Sequence, residues 1–293
     1  MNVIVCLLEG PHDAAFLYKI LKTNGYSEFR KPIKALPGPI FGFLTNPKHH
    51  SDLTVSEMTY DMANRRIYPF DVLIDENEAN CILLYPLMGV QNAALREKII
   101  KSIDDVVVLG DDGAADFSED HKYVIAYLVD ADNDGVEERL NSISEELMSF
   151  FPDIKVDVFK ENGTVQIIGD LEIGVFVITE IGSQTGRLED ILIPLMKLDN
   201  DDIFSKAEEF LGIHEQTNLF KGKVERYENG IIKKINNVKY DYKKSLVATV
   251  GQLQKSGMSN TVCIKQTDYL ETAKIQANES CRSIVNFLNK IIK

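Results

Sequence analysis

The sequence predicts an α/β fold: a mainly parallel sheet flanked by helices, with an insertion and a smaller, mostly helical C-terminal part. Three observations predict it. Continuous apolar runs rich in branched side chains recur at Val3–Leu8, Cys81–Leu87, Lys122–Val129 and Ile173–Ile181, as strands buried on both faces of a parallel sheet require. Segments of helical apolar spacing alternate with them, which favours right-handed βα crossovers. Near residue 200 this alternation stops, dividing the chain into a 1–200 unit and a lysine-rich, mostly helical 201–293 region.

Each element has its own reason. Pro11 suits the first turn of a helix, where its missing N–H is no loss, and Phe16, Leu17, Ile20 and Leu21 place an apolar stripe on residues 12–24. A Gly/Pro-rich stretch including Pro37-Gly38-Pro39 marks residues 27–80 as an insertion of loops, with a short helix near 55–65 and a hairpin around Asp75–Asn80. Residues 92–103 read as a helix, 104–120 as a loop carrying the apolar Val106–Leu109, and 136–150 as a helix. Asn162-Gly163 is a turn signal between Ile154–Phe159 and Val165–Ile168, so a hairpin is expected there. Leu188–Lys197 is the next helix; short helices, a hairpin around Asn229-Gly230, and helices near 242–254 and 270–291 complete the chain.

Composition sets limits. With 44% hydrophobic and 26% charged residues and no apolar run of about 18, the chain reads as globular, with no membrane contact expected. No charged leader or small-residue cleavage site precedes the run at residue 3, so a cytoplasmic location is expected. Cys6, Cys81, Cys263 and Cys281 lack zinc-ligand spacing and read as free thiols. The net charge of −13 disfavours simple coating of nucleic acid, but it is unevenly spread. Residues 219–293 carry 14 Lys+Arg against 6 Asp+Glu, and the rest carries 18 against 39. The tail can therefore meet a polyanion while the body holds cations.

Chemistry is concentrated in two acidic motifs placed directly after apolar strands. Glu9-Gly10-Pro11-His12-Asp13 follows the first strand, and Asp130-Ala131-Asp132-Asn133-Asp134-Gly135 follows a later one. Ligands of open α/β sheets bind outside the carboxyl ends of the strands. Acids converging there repel one another unless a hard cation lies between them. Asp130 and Asp132 are two apart, so an extended backbone aims both to one side. An EF-hand loop starting at Asp130 would need Glu at its twelfth position, which is Asn141, so that reading fails. Structural roles compete for the same residues, because acids are favoured in first helical turns and as caps.

Together, Glu9-Gly10 and Asp130-Ala131-Asp132 resemble the toprim family, whose pattern is Glu-Gly after the first strand and Asp-x-Asp after a later one. The strand ending Leu87-Met88-Gly89 is similar to the toprim second strand. Asp13 resembles the extra acid of nuclease-type members such as the overcoming-lysogenization-defect proteins. Gly186-Arg187-Leu188-Glu189-Asp190 is similar to an acidic segment of that group and its small stand-alone relatives. The resemblance covers roughly residues 1–200 and implies a Rossmann-like (toprim) sheet and divalent-metal phosphoryl transfer on nucleic acid, with DNA favoured over RNA. It implies that Glu9, Asp13 and Asp130 hold one Mg²⁺ or Mn²⁺. Asp132 and Glu189, helped by Glu180, hold or orient a second, since paired metals stabilise both the attacking and leaving oxygens. Lys243 or Lys244, with Lys244 preferred, would stabilise transition-state charge, giving Glu9, Asp130, Asp132 and Lys244 as the catalytic set.

The chain also departs from that family. No P-loop sequence is present, so the ATPase that accompanies the lysogenization-defect nucleases is absent, and neither zinc-finger spacing nor an identifiable nucleophilic tyrosine occurs. A stand-alone module with a possible protein partner is the expectation. Weaker sites are His49-His50, read as an exposed loop pair, His12 as a substrate contact, and Asn92 at a helix start facing a phosphate. Two other functions fit parts of the pattern. Asp-x-Asp after a strand also binds Mn²⁺–nucleotide sugar in some glycosyltransferases, which leaves Glu9 and Asp13 idle. A non-catalytic regulatory module would keep the fold and bind metal or a partner.

Overall fold

The apolar runs pair as strands of one mixed sheet. The computed structural model describes residues 1–36, 68–88, 92–111, 122–153, 158–214, 224–228, 231–235 and 241–292. Strands β1 (Asn2–Leu8), β2 (Tyr26–Glu28), β3 (Asp71–Asp75), β4 (Asn80–Pro86), β5 (Lys122–Asp130), β6 (Thr164–Ile168) and β7 (Leu171–Ile178) form a seven-stranded sheet in the order β2-β3-β4-β1-β5-β7-β6. The centre, β4-β1-β5-β7, is parallel, and β2, β3 and β6 join antiparallel at the two edges. β8 (Val224–Glu228) and β9 (Ile231–Ile235) form the expected separate hairpin, although its Asn229-Gly230 turn lies outside the described residues.

Nine helices are present among the described residues: α1 (Pro11–Thr23), α2 (Ala93–Asp111), α3 (Val136–Phe150), α4 (Leu188–Lys197), α5 (Asp201–His214), α6 (Tyr242–Gly251), α7 (Asn260–Gln266), α8 (Thr272–Ala277) and α9 (Glu279–Ile292). Side chains alternate across the sheet, so it has two cores. Ile4, Cys6 and Leu8 of β1 share one with α1, α4, α5 and the four C-terminal helices. Val3, Val5 and Leu7 share the other with α2 and α3. The lysine-rich C-terminal part thus closes one face of the central sheet. The last helix is anchored where the first strand begins: Asn2 Nδ2 donates to Ile292 O at 3.1 Å and Lys122 Nζ to Ile291 O at 3.4 Å. These cations and amides satisfy carbonyls left open at a helix C-terminus.

Several expected elements change. Helix α2 runs on through Asp111, so residues 104–111 are helical rather than loop; Ile99, Ile100 and Ile103 carry its buried stripe against the sheet. β6 pairs with β7 through a turn at Gly169-Asp170, while Asn162-Gly163 forms a turn just ahead of β6; residues 154–157 of the strand expected on its other side lie outside the described residues. The Asn162 side chain braces this turn as a backbone substitute, donating to Val177 O at 2.7 Å and accepting from Val177 N at 2.6 Å. The final helix is two helices, α8 and α9, because Asn278 is extended and its side chain accepts from Cys281 N at 3.0 Å, capping α9. The hairpin around Asp75–Asn80 forms between β3 and β4. The helix expected near 55–65 and His49-His50 lie outside the described residues. No described helix is long and apolar enough to cross a membrane, and all four cysteines are buried and free.

Gly174 of β7 packs directly under α9. A Cβ there would lie 3.0 Å from both Phe287 and Ile291 side-chain carbons. Gly174→Val should therefore lift α9 and cost about 1–3 kcal/mol in overpacking, read as a lower urea midpoint at unchanged slope.

Candidate functional site

Parallel register brings the two acidic motifs to one edge of the sheet. Leu8 lies opposite Leu128, so Glu9 leaves β1 at the level where β5 ends in Asp130. Helix α1 starts at once, with Gly10 as its cap residue and Pro11 at its first position. Asp13 then closes a capping box, its Oδ2 accepting from Gly10 N at 2.9 Å. Its other oxygen, Oδ1, is buried with no hydrogen-bond partner. One carboxylate thus has a structural oxygen and an unsatisfied one.

Asp130 points to the same face. Its Oδ1 accepts from Leu188 N at 3.0 Å, at the N-terminus of α4, where helix dipole and free N–H groups favour an anion. The next residue of α4 is Glu189, with His12 Nδ1 3.8 Å from its Oε1. Asp13, Asp130 and Glu189 are 8%, 7% and 3% exposed. Burial and mutual repulsion act together on them. Burial first, then the Glu9 and Glu189 charges, push Asp13 up to about 7. Burial first, then the Asp13, Glu9 and Glu189 charges, push Asp130 up to about 9 against the restraining Leu188 N–H. Glu9, half-buried, is also raised, chiefly by burial, while Arg139, the Asp130 amide and Lys244 pull it down. Asp13 and Asp130 release their protons as a pair rather than independently.

Asp132 is placed differently. It has left the extended conformation of β5 (φ 49°) and bridges Gly186, donating its N–H to Gly186 O at 2.8 Å and accepting from Gly186 N at 3.0 Å. Gly186 has φ 136°, and a Cβ there would lie 2.3 Å from Glu180 N, so this crossing requires glycine. Two arginines hold the Asp132 carboxylate. Arg187 Nε stands 2.7 Å from Oδ1, and Arg139 of α3 pairs with Oδ2. Arg139 also lies 3.8 Å from Glu9 Oε1, and Arg187 lies 3.4 Å from Asp241 Oδ2. The Asp-x-Asp spacing therefore sends one acid into the buried cluster and the other to a pair of guanidiniums.

Glu189 lies with Asp13 and Asp130, on both of which its charge acts, and Glu180 is exposed on the turn between β7 and α4. Lys243 is committed to Asp190, whose other oxygen caps α4 by accepting from Arg187 N at 3.0 Å. Lys244 is exposed, and its charge reaches Glu9. Asn92 precedes α2 and donates from its side chain to Met88 O at 3.4 Å. Sequence reasoning did not single out Arg139 or Arg187 for any role. Arg187 stood inside a quoted motif, whereas Arg139 carried no local signal beyond lying one turn into the helix after Gly135.

The four acids supply only hard oxygen donors, which suit Mg²⁺ or Mn²⁺ rather than a soft metal. Among the described residues, no group of three or more His, Cys, Asp and Glu side chains forms a ready-made metal cage. A family model described as "Protein of unknown function (DUF3226)" matches residues 4–293, and the chain belongs to that family. No curated protein and no solved structure matches the chain.

The raised acids fix a sign for stability against pH. Their folded-state values exceed the ordinary 3.8, so the folded protein binds more protons than the unfolded one above that pH. The metal-free protein should lose stability as pH rises from about 4 towards about 9 through the Asp13 and Asp130 shifts. Asp130→Asn should flatten that decline and melt above wild type at pH 8 without metal; scanning calorimetry across pH in EDTA checks both.

Proposed function

We propose that this DUF3226-family chain is a toprim-like, Rossmann-like α/β protein that cleaves or nicks nucleic acid with a divalent metal. One observation carries the reading: carboxylates from the end of β1 and from α1, β5 and α4 face one another at the carboxyl ends of the parallel strands, three of them buried, with Asp13 and Asp130 raised by burial and by their acidic neighbours and one oxygen of Asp13 unpaired. The order Glu9-Gly10 then Asp130-Ala131-Asp132, and its resemblance to toprim, supports the same reading. Glu9, Asp13, Asp130 and Glu189 are the residues that would hold Mg²⁺ or Mn²⁺. When bound, such an ion neutralises phosphate charge and activates a water for in-line attack.

The chain's own groups have separable duties. Asp130 is oriented by the α4 N-terminus, and Asp13 by its capping bond to Gly10, so both carboxylates are held before any ligand arrives. His12 stands against Glu189 at the same mouth, placed for a substrate contact. Lys244, whose charge reaches Glu9 after that of Arg139, would stabilise transition-state charge. The arginine-bound Asp132 favours a second reading, a non-catalytic module whose second metal position is replaced by ion pairs. Either reading places the protein in the cytoplasm with nucleic acid, DNA before RNA, or a partner protein as its counterpart.

Two measurements separate these. Supercoiled plasmid should be nicked with Mg²⁺ or Mn²⁺ and not in EDTA, and Asp130→Asn should lower the rate by about 10²-fold or more. Equal nicking by both proteins would exclude the site. Absence of nicking on DNA and RNA, with a Mn²⁺-induced rise in melting temperature lost in Asp130→Asn, would establish the non-catalytic module.

A further inference from the structure

We propose that Arg139 and Arg187 form a receptor for a backbone phosphodiester of the nucleic acid, and that Asp132 occupies it as a carboxylate stand-in until the strand arrives. The inference rests on the nucleic-acid reading above. Asp132 has one guanidinium on each oxygen: Arg187 Nε at 2.7 Å on Oδ1, and Arg139 on Oδ2. Carboxylate and phosphate accept the same planar fork of N–H donors, and arginine is the residue that matches both. Neither guanidinium is exhausted by this contact. Arg139 Nε is buried with no acceptor, and the further contacts of the pair are long, 3.8 Å to Glu9 and 3.4 Å to Asp241.

Position and exposure support exchange. The side chains of Asp132, Arg139 and Arg187 are 28%, 27% and 39% exposed, so the pair opens to solvent without disturbing either core. The buried acids alone would repel a phosphodiester. The two arginines sit at the boundary of that cluster, where α3 and the start of α4 are drawn together by the Asp132–Gly186 bridge. Aspartate tolerates the left-handed backbone at 132 better than most residues, and that turn carries its carboxylate to the guanidiniums rather than into the cluster. Lys244 extends the basic rim, with Lys243 held by Asp190. A strand lying across this rim would place a phosphate over the acids.

Binding without turnover tests it. Anisotropy of a fluorescein-labelled DNA duplex is measured in EDTA over a range of salt for wild type, Arg187→Gln, Arg139→Gln, Arg187→Lys and Asp132→Asn, with melting temperatures recorded. Each glutamine variant should bind several-fold more weakly and reduce the slope of log affinity against log salt by about 1. Arg187→Lys should weaken binding at an unchanged slope, since it keeps the charge and loses the fork; this arm carries the test if a glutamine variant does not fold. Asp132→Asn should bind several-fold more tightly, because both guanidiniums are released. Wild-type affinity and slope in folded Arg187→Gln, or weaker binding in folded Asp132→Asn, would overturn the receptor while leaving the nuclease reading intact. No binding by wild type of this duplex or of an RNA duplex of the same sequence, in EDTA and with Ca²⁺ alike, would overturn the nucleic-acid reading itself.

Discussion

Three carboxylates that repel one another are kept out of water at one edge of the sheet, and their retention constrains much of the chain around them. Asp13, Asp130 and Glu189 are each held by a helix N-terminus or stand within one. The α1 capping box takes one oxygen of Asp13, and the first amide of α4 takes one of Asp130. Burying like charges without counter-charge is costly, and the raised proton affinities of Asp13 and Asp130 are the measure of that cost. A fold that only sought stability would replace them. Their presence at the ligand-binding edge of an α/β sheet is therefore the strongest reason to look for chemistry there.

Around this acid floor stands a basic rim assembled from distant parts of the chain. Arg139 comes from α3, Arg187 from the turn before α4, and Lys243 and Lys244 from α6, each with an acid assigned to hold it or feel it. Asp190 and Asp241 serve this second layer: Asp190 caps α4 while receiving Lys243, and Asp241 caps α6 while meeting Arg187. The C-terminal helices are tied to the site as well as to the core, since α6 delivers its cations only because Leu246, Val247 and Val250 are buried in the same cluster as β1 and α1. The opposite face has an ion pair of its own, between a buried arginine and a half-buried glutamate. Arg96 of α2 reaches Glu146 of α3 and the carbonyl of Leu87, and Tyr127 of β5 donates to the same glutamate at 3.1 Å. That network fastens both helices to the central strand ahead of the Asp130 motif.

Legibility followed the range of the interactions concerned. The strands of the parallel centre were readable because burial on both faces leaves continuous apolar runs, as in β1 and β5. Their ends were readable too, since Glu9-Gly10-Pro11 changes from apolar strand to helix start within three residues. The Asn162-Gly163 turn was readable, but its brace was not: the Asn162 side chain bonds the Val177 backbone, a partner 15 residues away. Residues 104–111 read as loop because no turn of that helix carries a strong local signal after Asp104-Asp105. The break at Asn278 was hidden in a helical pattern, and becomes intelligible once its side chain is seen capping α9.

By itself the sequence determined the α/β class, the parallel centre and the presence of acids at two strand ends, because apolar periodicity and chain direction are local properties. Tertiary structure alone decided how those acids divide. Asp130 and Asp132 are two residues apart and indistinguishable by spacing, yet one joins a buried cluster and the other is held at the rim. The difference arises from Leu188 N–H, Gly186, Arg139 and Arg187, none of which is a near neighbour of both in the chain. Long-range partners set the charge state and direction of a carboxylate, so its role at a site is a property of the folded molecule.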